Sequence, residues 1–220
     1  MKMKDLAIKT KALSRIKRAT LLLIFVYCQL VVAPSGLAGP SQETALSAED
    51  FHQKFSWYGK FSSLKTRFVQ KKTIPGLEVH LEAEGILSVQ RPDSVTWEIT
   101  KPGAMKVLLD KDSLSIVSES GKDQEVQRWP LEKIPSNIKE KLFVMKLWLN
   151  FDPSGLYRQY TIYEIKPNHL KFVPKENSQI GFSSIEMHFH PTGYVSRLVL
   201  REDSGDLLDY TFTKPQLEPR

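Results

Sequence analysis

The sequence predicts a mainly β fold with a few helices, laid out as an antiparallel meander that forms a large curved sheet or barrel. Three observations carry this expectation. From Phe61 the apolar pattern repeats every second residue, which is the period of a half-buried strand. Short strand-like runs then follow one another, separated by turn residues. One apolar segment of helical character, residues 136–150, interrupts them.

Residues 39–46 read as a short flexible lead-in. Ser47-Ala48-Glu49-Asp50 offers an N-cap serine with acids in the first turn. Phe51, Phe55 and Tyr58 follow at helical spacing, so an amphipathic helix is predicted over 48–59. In the next segment Leu77, Val79, Leu81, Ala83, Gly85, Leu87 and Val89 share one face, with Glu78, His80, Glu82, Glu84, Ser88 and Gln90 on the other. This is a long strand with one face in the core. Further strands are predicted over 94–100, 105–110, 113–118, 124–129, 157–165, 169–173, 183–190, 194–202 and 207–213. The breaks between them carry turn chemistry: Pro102-Gly103, Asp110-Lys111-Asp112, Ser120-Gly121, Pro167-Asn168, Pro191-Thr192-Gly193 and Asp203-Ser204-Gly205.

The segment 136–150 is apolar nearly all round. On a helical wheel Ile138, Leu142, Met145 and Leu149 share a face, Phe143 and Leu147 lie near the opposite side, and Val144 and Trp148 fall between. Such a helix needs cover on both sides. A sheet can supply one side; the other calls for a partner or a ligand.

Charge and leader narrow the function classes. The chain has 220 residues and a formal charge of +6. Residues 1–38 hold seven of the 31 Lys/Arg and one of the 25 Asp/Glu, leaving 24 of each for positions 39–220. The remainder is neutral, which argues against nucleic acid as a partner. Residues 1–38 read as a cleavable signal peptide: a basic n-region starting at Met1 or Met3, then an apolar run from Leu21 to Ala33. That run is too short for a membrane span, which needs roughly 20 residues. Gly36-Leu37-Ala38 favours cleavage after Ala38. The only cysteine, Cys28, follows Tyr27, whereas a lipoprotein signal wants a small residue there. Residues 39–220 then form one domain without cysteine, 182 residues long, which must rely on its core.

No nucleophile elbow, metalloprotease helix, phosphate loop or dinucleotide fingerprint is present. No cofactor is expected. His188-Phe189-His190 could present two imidazoles on one strand face to a metal, but no third ligand is evident nearby; the plainer reading has both in solvent with Ile185, Met187 and Phe189 inward. His80, Glu82 and Glu84 share a face and could serve hydrolysis, although any solvated strand face looks this way. Arg91 follows Leu87 and Val89 on the apolar face and precedes Pro92, which ends the strand. Two roles suit it. It reaches solvent at the sheet edge, or its guanidinium fork hydrogen-bonds several carbonyls of a covering segment.

At Arg91 the chain resembles the LolA family, the periplasmic carriers of outer-membrane lipoproteins. The matching elements are Leu64…Phe68-Val69-Gln70, Gly85-x-Leu87-x-Val89-x-Arg91-Pro92, Trp97-Glu98-x-Thr100-Lys101-Pro102 and Leu170-Lys171-Phe172-Val173-Pro174-Lys175, in the family's order across about residues 48–213. The resemblance implies an unclosed antiparallel β-barrel covered by helices that form a lid over an apolar cavity. It implies a binding protein, not an enzyme, which takes up the acyl chains of lipoproteins and moves them from the inner to the outer membrane. Arg91 matches the arginine that hydrogen-bonds lid backbone in the family's closed state, and 136–150 matches the lid. The implied site is Leu87, Val89, Arg91, Val95, Trp97, Leu142, Phe143, Leu147 and Trp148. The implied partners are an acylated lipoprotein or other lipid cargo, an inner-membrane release transporter and an outer-membrane receptor, with the carrier itself a monomer. The family commonly has a further loop and strand after the element equivalent to 207–213, whereas this chain ends at Arg220. Two other readings stay open: a carrier of a different amphiphile, such as a glycolipid, and a secreted β-sheet hydrolase built on His80, Glu82 and Glu84.

Overall fold

The computed structural model describes residues 44–219, apart from 57, 59, 78, 121–122, 136–137, 140–141, 143–144, 146–151 and 176–180. Helix α1 (Ala48–Phe55) opens the fold. It is followed by β1 (Phe61–Ile74), β2 (Val79–Gln90), β3 (Ser94–Lys101), β4 (Met105–Leu109), β5 (Ser113–Ser120) and β6 (Asp123–Pro130). Helix α2 (Pro153–Gln159) precedes β7 (Tyr160–Lys166), β8 (His169–Pro174), β9 (Phe182–His190), β10 (Tyr194–Glu202) and β11 (Leu207–Pro219). All eleven strands join one antiparallel sheet in the order β6-β5-β4-β3-β2-β1-β11-β10-β9-β8-β7. The two ends, β6 and β7, do not pair, so the sheet is unclosed, as expected.

Register explains where the core sits. Residues directly opposite each other in neighbouring strands share a face. Phe68 pairs with both Gly85 and Phe212; Leu87 pairs with Trp97; Met187 pairs with Leu170 and Leu198; Ile185 pairs with Phe172 and Leu200. These rows place two buried clusters on the same face of the sheet. One gathers Phe51, Phe55, Leu156, Tyr160, Ile162 and Phe172 under α1 and α2. The other gathers Leu64, Phe68, Leu87, Val89, Val95 and Leu142 over the β1–β5 half. A sheet this wide with one covered face must curl around its contents.

Gly85 is required where it stands. A Cβ there would lie 2.0 Å from the Glu98 carbonyl oxygen and 2.7 Å from Phe68 Cζ. The Phe68 ring occupies the space a side chain would take.

Several boundaries differ from the expectations. Helix α1 stops at Phe55 with Ser56 as its C-cap, short of the predicted residue 59. Residues 157–159, predicted as strand, complete α2, because the Asp152 carboxylate accepts from the Gly155 backbone N–H at 3.1 Å and Pro153 occupies the first turn. The lead-in is pinned: Leu46 N–H donates to Ile162 O at 2.9 Å and the Tyr157 hydroxyl donates to Leu46 O at 2.6 Å. This blunts the open edge of β7. The outer half of β2 is not core. Leu77 is 66% exposed and Leu81 48%, and β3 pairs with β2 only from Glu84 onward. The outer half of β2 therefore projects past β3, paired with β1 alone.

The last strand also runs further than the predicted 213. Lys65 pairs with Gln216 and Arg67 with Thr213, so Lys214 and Pro215 together face Thr66 as a bulge. Lys214 takes a φ of 52°, and the Thr66 hydroxyl donates to Thr213 O at 2.8 Å. Pro215, which has no N–H to give a ladder, sits where none is needed, and pairing resumes beyond it.

The candidate lipid site

Strands β2 and β3 bring the predicted site residues together. Leu87 lies opposite Trp97 and Val89 opposite Val95. Leu87, Val89 and Val95 are buried, and Trp97 packs at their margin. Trp97 tilts against Phe68 at 5.2 Å and stands edge-on to Tyr210 at 5.5 Å. These contacts make a continuous apolar floor of β-branched, leucine and aromatic side chains.

Within the predicted helix 136–150, residues Ile138, Lys139, Leu142 and Met145 are described, and all are helical. Leu142 is buried in the β1–β5 cluster, with Ile138 and Met145 half-buried against it. Positions i, i+4 and i+7 thus set one helical face on the sheet. Phe143, Leu147 and Trp148 lie outside the described residues.

Arg91 is half-buried at the rim of this floor. Its backbone N–H donates to Ser62 O at 3.0 Å, tying the end of β2 to β1. Its guanidinium carbon stands 4.1 Å above the Phe61 ring centroid, a cation–π contact. Phe61 is edge-on to Tyr58, Tyr58 is edge-on to Phe189, and Phe189 touches Phe55. This aromatic chain joins the two buried clusters, and Arg91 caps one end of it. Burial pushes the Tyr58 phenol up to about 12, and the nearby Arg91 charge pulls it the other way. The sequence alone did not reveal Phe61 and Tyr58 as partners of Arg91, since they precede it by about thirty residues in a different strand and a loop.

The carboxylate face proposed for hydrolysis is dispersed. Glu84 is held by the Lys101 ammonium at 3.2 Å, and His80 Nδ1 lies 3.2 Å from the Thr73 hydroxyl. His80 and Glu82 sit exposed on the hairpin.

His188 and His190 part company. His190 stacks on Tyr194 and meets the Thr192 hydroxyl at 2.8 Å. His188 instead stacks on His169 of β8, ring centroids 3.9 Å apart, with Glu186 beside them. Ile185, Met187 and Phe189 do point into the core. The His188 imidazole is shifted toward its neutral form, first by burial and then by His169. His169 was missed in the sequence because its pairing with His188 depends on a register set across residues 175–181.

The family model "Outer membrane lipoprotein carrier protein LolA" matches residues 59–220. An outer-membrane lipoprotein carrier protein of Proteus mirabilis (strain HI4320) is 25% identical over 195 residues, spanning 86% of this chain and 88% of the relative. A LolA superfamily protein from Nitrosomonas europaea shares 9% identity at a TM-score of 0.41, over 80% of this chain and 96% of that one. The Pseudomonas aeruginosa MucA/MucB complex yields a match at 17% identity and a TM-score of 0.44, over 79% of this chain and 58% of the other. Carriers of the LolA family are periplasmic binding proteins and not enzymes. With the family model spanning most of its length, from the loop before β1 through the last strand, this chain belongs to the LolA family of outer-membrane lipoprotein carrier proteins.

Proposed function

We propose that this protein shields the acyl chains of lipoproteins on the apolar face of its sheet and carries them from the inner to the outer membrane. The observation that carries the reading is the floor of Leu87, Val89, Val95 and Trp97 with Leu142, Ile138 and Met145 packed on it, in a segment whose sequence is apolar at further positions as well. Acyl chains cost roughly 0.8 kcal/mol per CH₂ in water, so a soluble carrier needs such a shelter. Leu142 faces the floor, and the apolar Phe143, Leu147 and Trp148 of the same segment are assigned to the cargo from the sequence. Arg91 biases the empty site toward closure by a bond worth about 1–3 kcal/mol, small enough for cargo to overcome. The protein works as a monomer. It receives cargo from an inner-membrane release transporter and surrenders it to an outer-membrane receptor. Residues 1–38 direct export and are removed.

The test is mass spectrometry of amphiphiles extracted from protein purified from the periplasm. An acylated lipoprotein supports the proposal. A glycolipid or other small lipid in its place keeps the carrier but changes the cargo. Absence of any bound amphiphile, with no uptake of a triacylated peptide in vitro, overturns it.

A further inference from the structure

The outer face of the sheet carries a group of side chains that lipid carriage does not use. His169 of β8 stands directly opposite His188 of β9, and Glu186 is two residues along β9 on the same face. The imidazoles stack at 3.9 Å with their planes 20° apart. Glu186 Oε2 lies 3.1 Å from His169 Nε2. One ligand atom from each of the three residues fits within 4.8 Å of the other two. His169 is nine-tenths buried, and its Nδ1 has no hydrogen-bond partner among the described residues.

We propose that His169, Glu186 and His188 bind a zinc ion that clips β8 to β9 and leaves one coordination position open. Zinc takes imidazole nitrogen and carboxylate oxygen at about 2.0–2.2 Å in a tetrahedron, which sets its ligand atoms about 3.3 Å apart. The His169–Glu186 separation, 3.1 Å, is already close to that value. A modest turn of His188 about its side-chain bonds brings the third atom in. The backbone needs no change, because antiparallel register fixes both imidazoles as direct neighbours across the strands. The donor set is borderline in softness and suits zinc over magnesium or calcium, which want oxygen alone.

The surroundings tolerate the added charge. Arg197, opposite His188 on β10, is engaged by Asp209 through bonds of 2.9 and 2.6 Å. Lys166 lies opposite His169 at the exposed end of β7. Glu186 supplies the one negative ligand. The fourth position faces outward, away from the apolar floor, so water or a side chain of a docked protein would fill it.

The experiment uses untagged full-length protein stripped with chelator and titrated with zinc chloride alone, followed by calorimetry and by cobalt substitution. The proposal expects one zinc per chain and, with cobalt, the intense visible bands of a tetrahedral site. Glu186→Gln, at a half-exposed position, and His188→Asn should each weaken binding about tenfold or more, since even groups that only orient metal ligands cost that much when lost. His190→Ala and His80→Ala should bind as the parent does. Zinc should raise the melting temperature of the parent in a concentration-dependent way and leave that of His188→Asn unmoved. No binding overturns the proposal. So does stoichiometric binding that survives both Glu186→Gln and His188→Asn, or cobalt spectra of an octahedral, all-oxygen site.

Discussion

Replacing Arg91 with leucine separates the two roles open to it. The guanidinium carbon sits 4.1 Å from the Phe61 centroid at a half-buried site. Such contacts contribute about 0.5–1 kcal/mol when exposed and about 2 kcal/mol when desolvated. A value in the middle, about 1.4 kcal/mol, shifts a two-state equilibrium roughly tenfold. Arg91→Leu removes this attraction and any polar bonds to the covering segment while adding apolar surface beside Leu87 and Val89. On the proposed latch Arg91 makes its bonds in the empty closed state alone, so that state loses its bias and the loaded state does not. Cargo should bind at least as well as in the parent and leave about tenfold more slowly. Arg91→Lys should fall between, since an ammonium retains the charge but not the planar fork.

The assay reads the loaded fraction of protein isolated from the periplasm and the rate of cargo transfer to acceptor membranes. Phe61→Leu belongs in the same series. If the ring is what holds Arg91 in place, the double variant should be no slower than the slower single, a non-additive pair. Equal loading and equal rates for parent, Arg91→Leu and Arg91→Lys would refute the latch and leave Arg91 as the residue that ends β2.

Gly85→Ala should destabilise the fold by about 1–3 kcal/mol or more, because its Cβ would meet the Glu98 carbonyl oxygen at 2.0 Å and the Phe68 ring at 2.7 Å; an unchanged urea midpoint would show that the strands part at no cost. Phe143→Glu and Leu147→Glu should reduce uptake of a fluorescent apolar probe per folded molecule more than they lower the melting temperature; the reverse pattern would make both residues ordinary core. Stability should fall as pH rises from about 10 to about 12, because the unfolded Tyr58 phenol ionises near 10 while the buried one stays protonated to about 12, so the unfolded state binds fewer protons across that window. Tyr58→Phe should make that decline shallower without abolishing it, because burial also raises the Tyr157 and Tyr210 phenols, as seen by chemical denaturation across the same range.

Much of the sheet was legible because its signals are local. The alternation through Gly85-Ile86-Leu87-Ser88-Val89 and the turn residues at Pro102-Gly103 or Pro191-Thr192-Gly193 fix strand identity without reference to the rest of the molecule. The errors have a common cause. Leu77, Val79 and Leu81 carry the same alternation as Leu87 and Val89, yet they are exposed. Alternation records which face a side chain takes, not whether a neighbouring strand is long enough to cover it. The strand predicted to end at 213 runs on to Pro219, because a bulge at Lys214-Pro215 absorbs the ladder donor that proline lacks. The α2 helix was hidden because its start depends on one cap, Asp152 to Gly155, followed by aromatic and β-like residues.

The site divides along the same line. Leu87 with Trp97 and Val89 with Val95 follow from a tight turn between β2 and β3, so their meeting could be read from the chain. Arg91 over Phe61 and His169 against His188 could not. The first depends on β1 pairing with β2 in one register out of several. The second depends on how the chain returns through 175–181 to place β9 on β8. Long-range register is chosen by the summed burial of a whole face, since a one-residue slip would turn every inward side chain outward. The chemistry that sits on top of that choice, a cation over a ring on the rim and two imidazoles in contact on the outer face, is therefore a consequence of the packed sheet and has no signature of its own in the sequence.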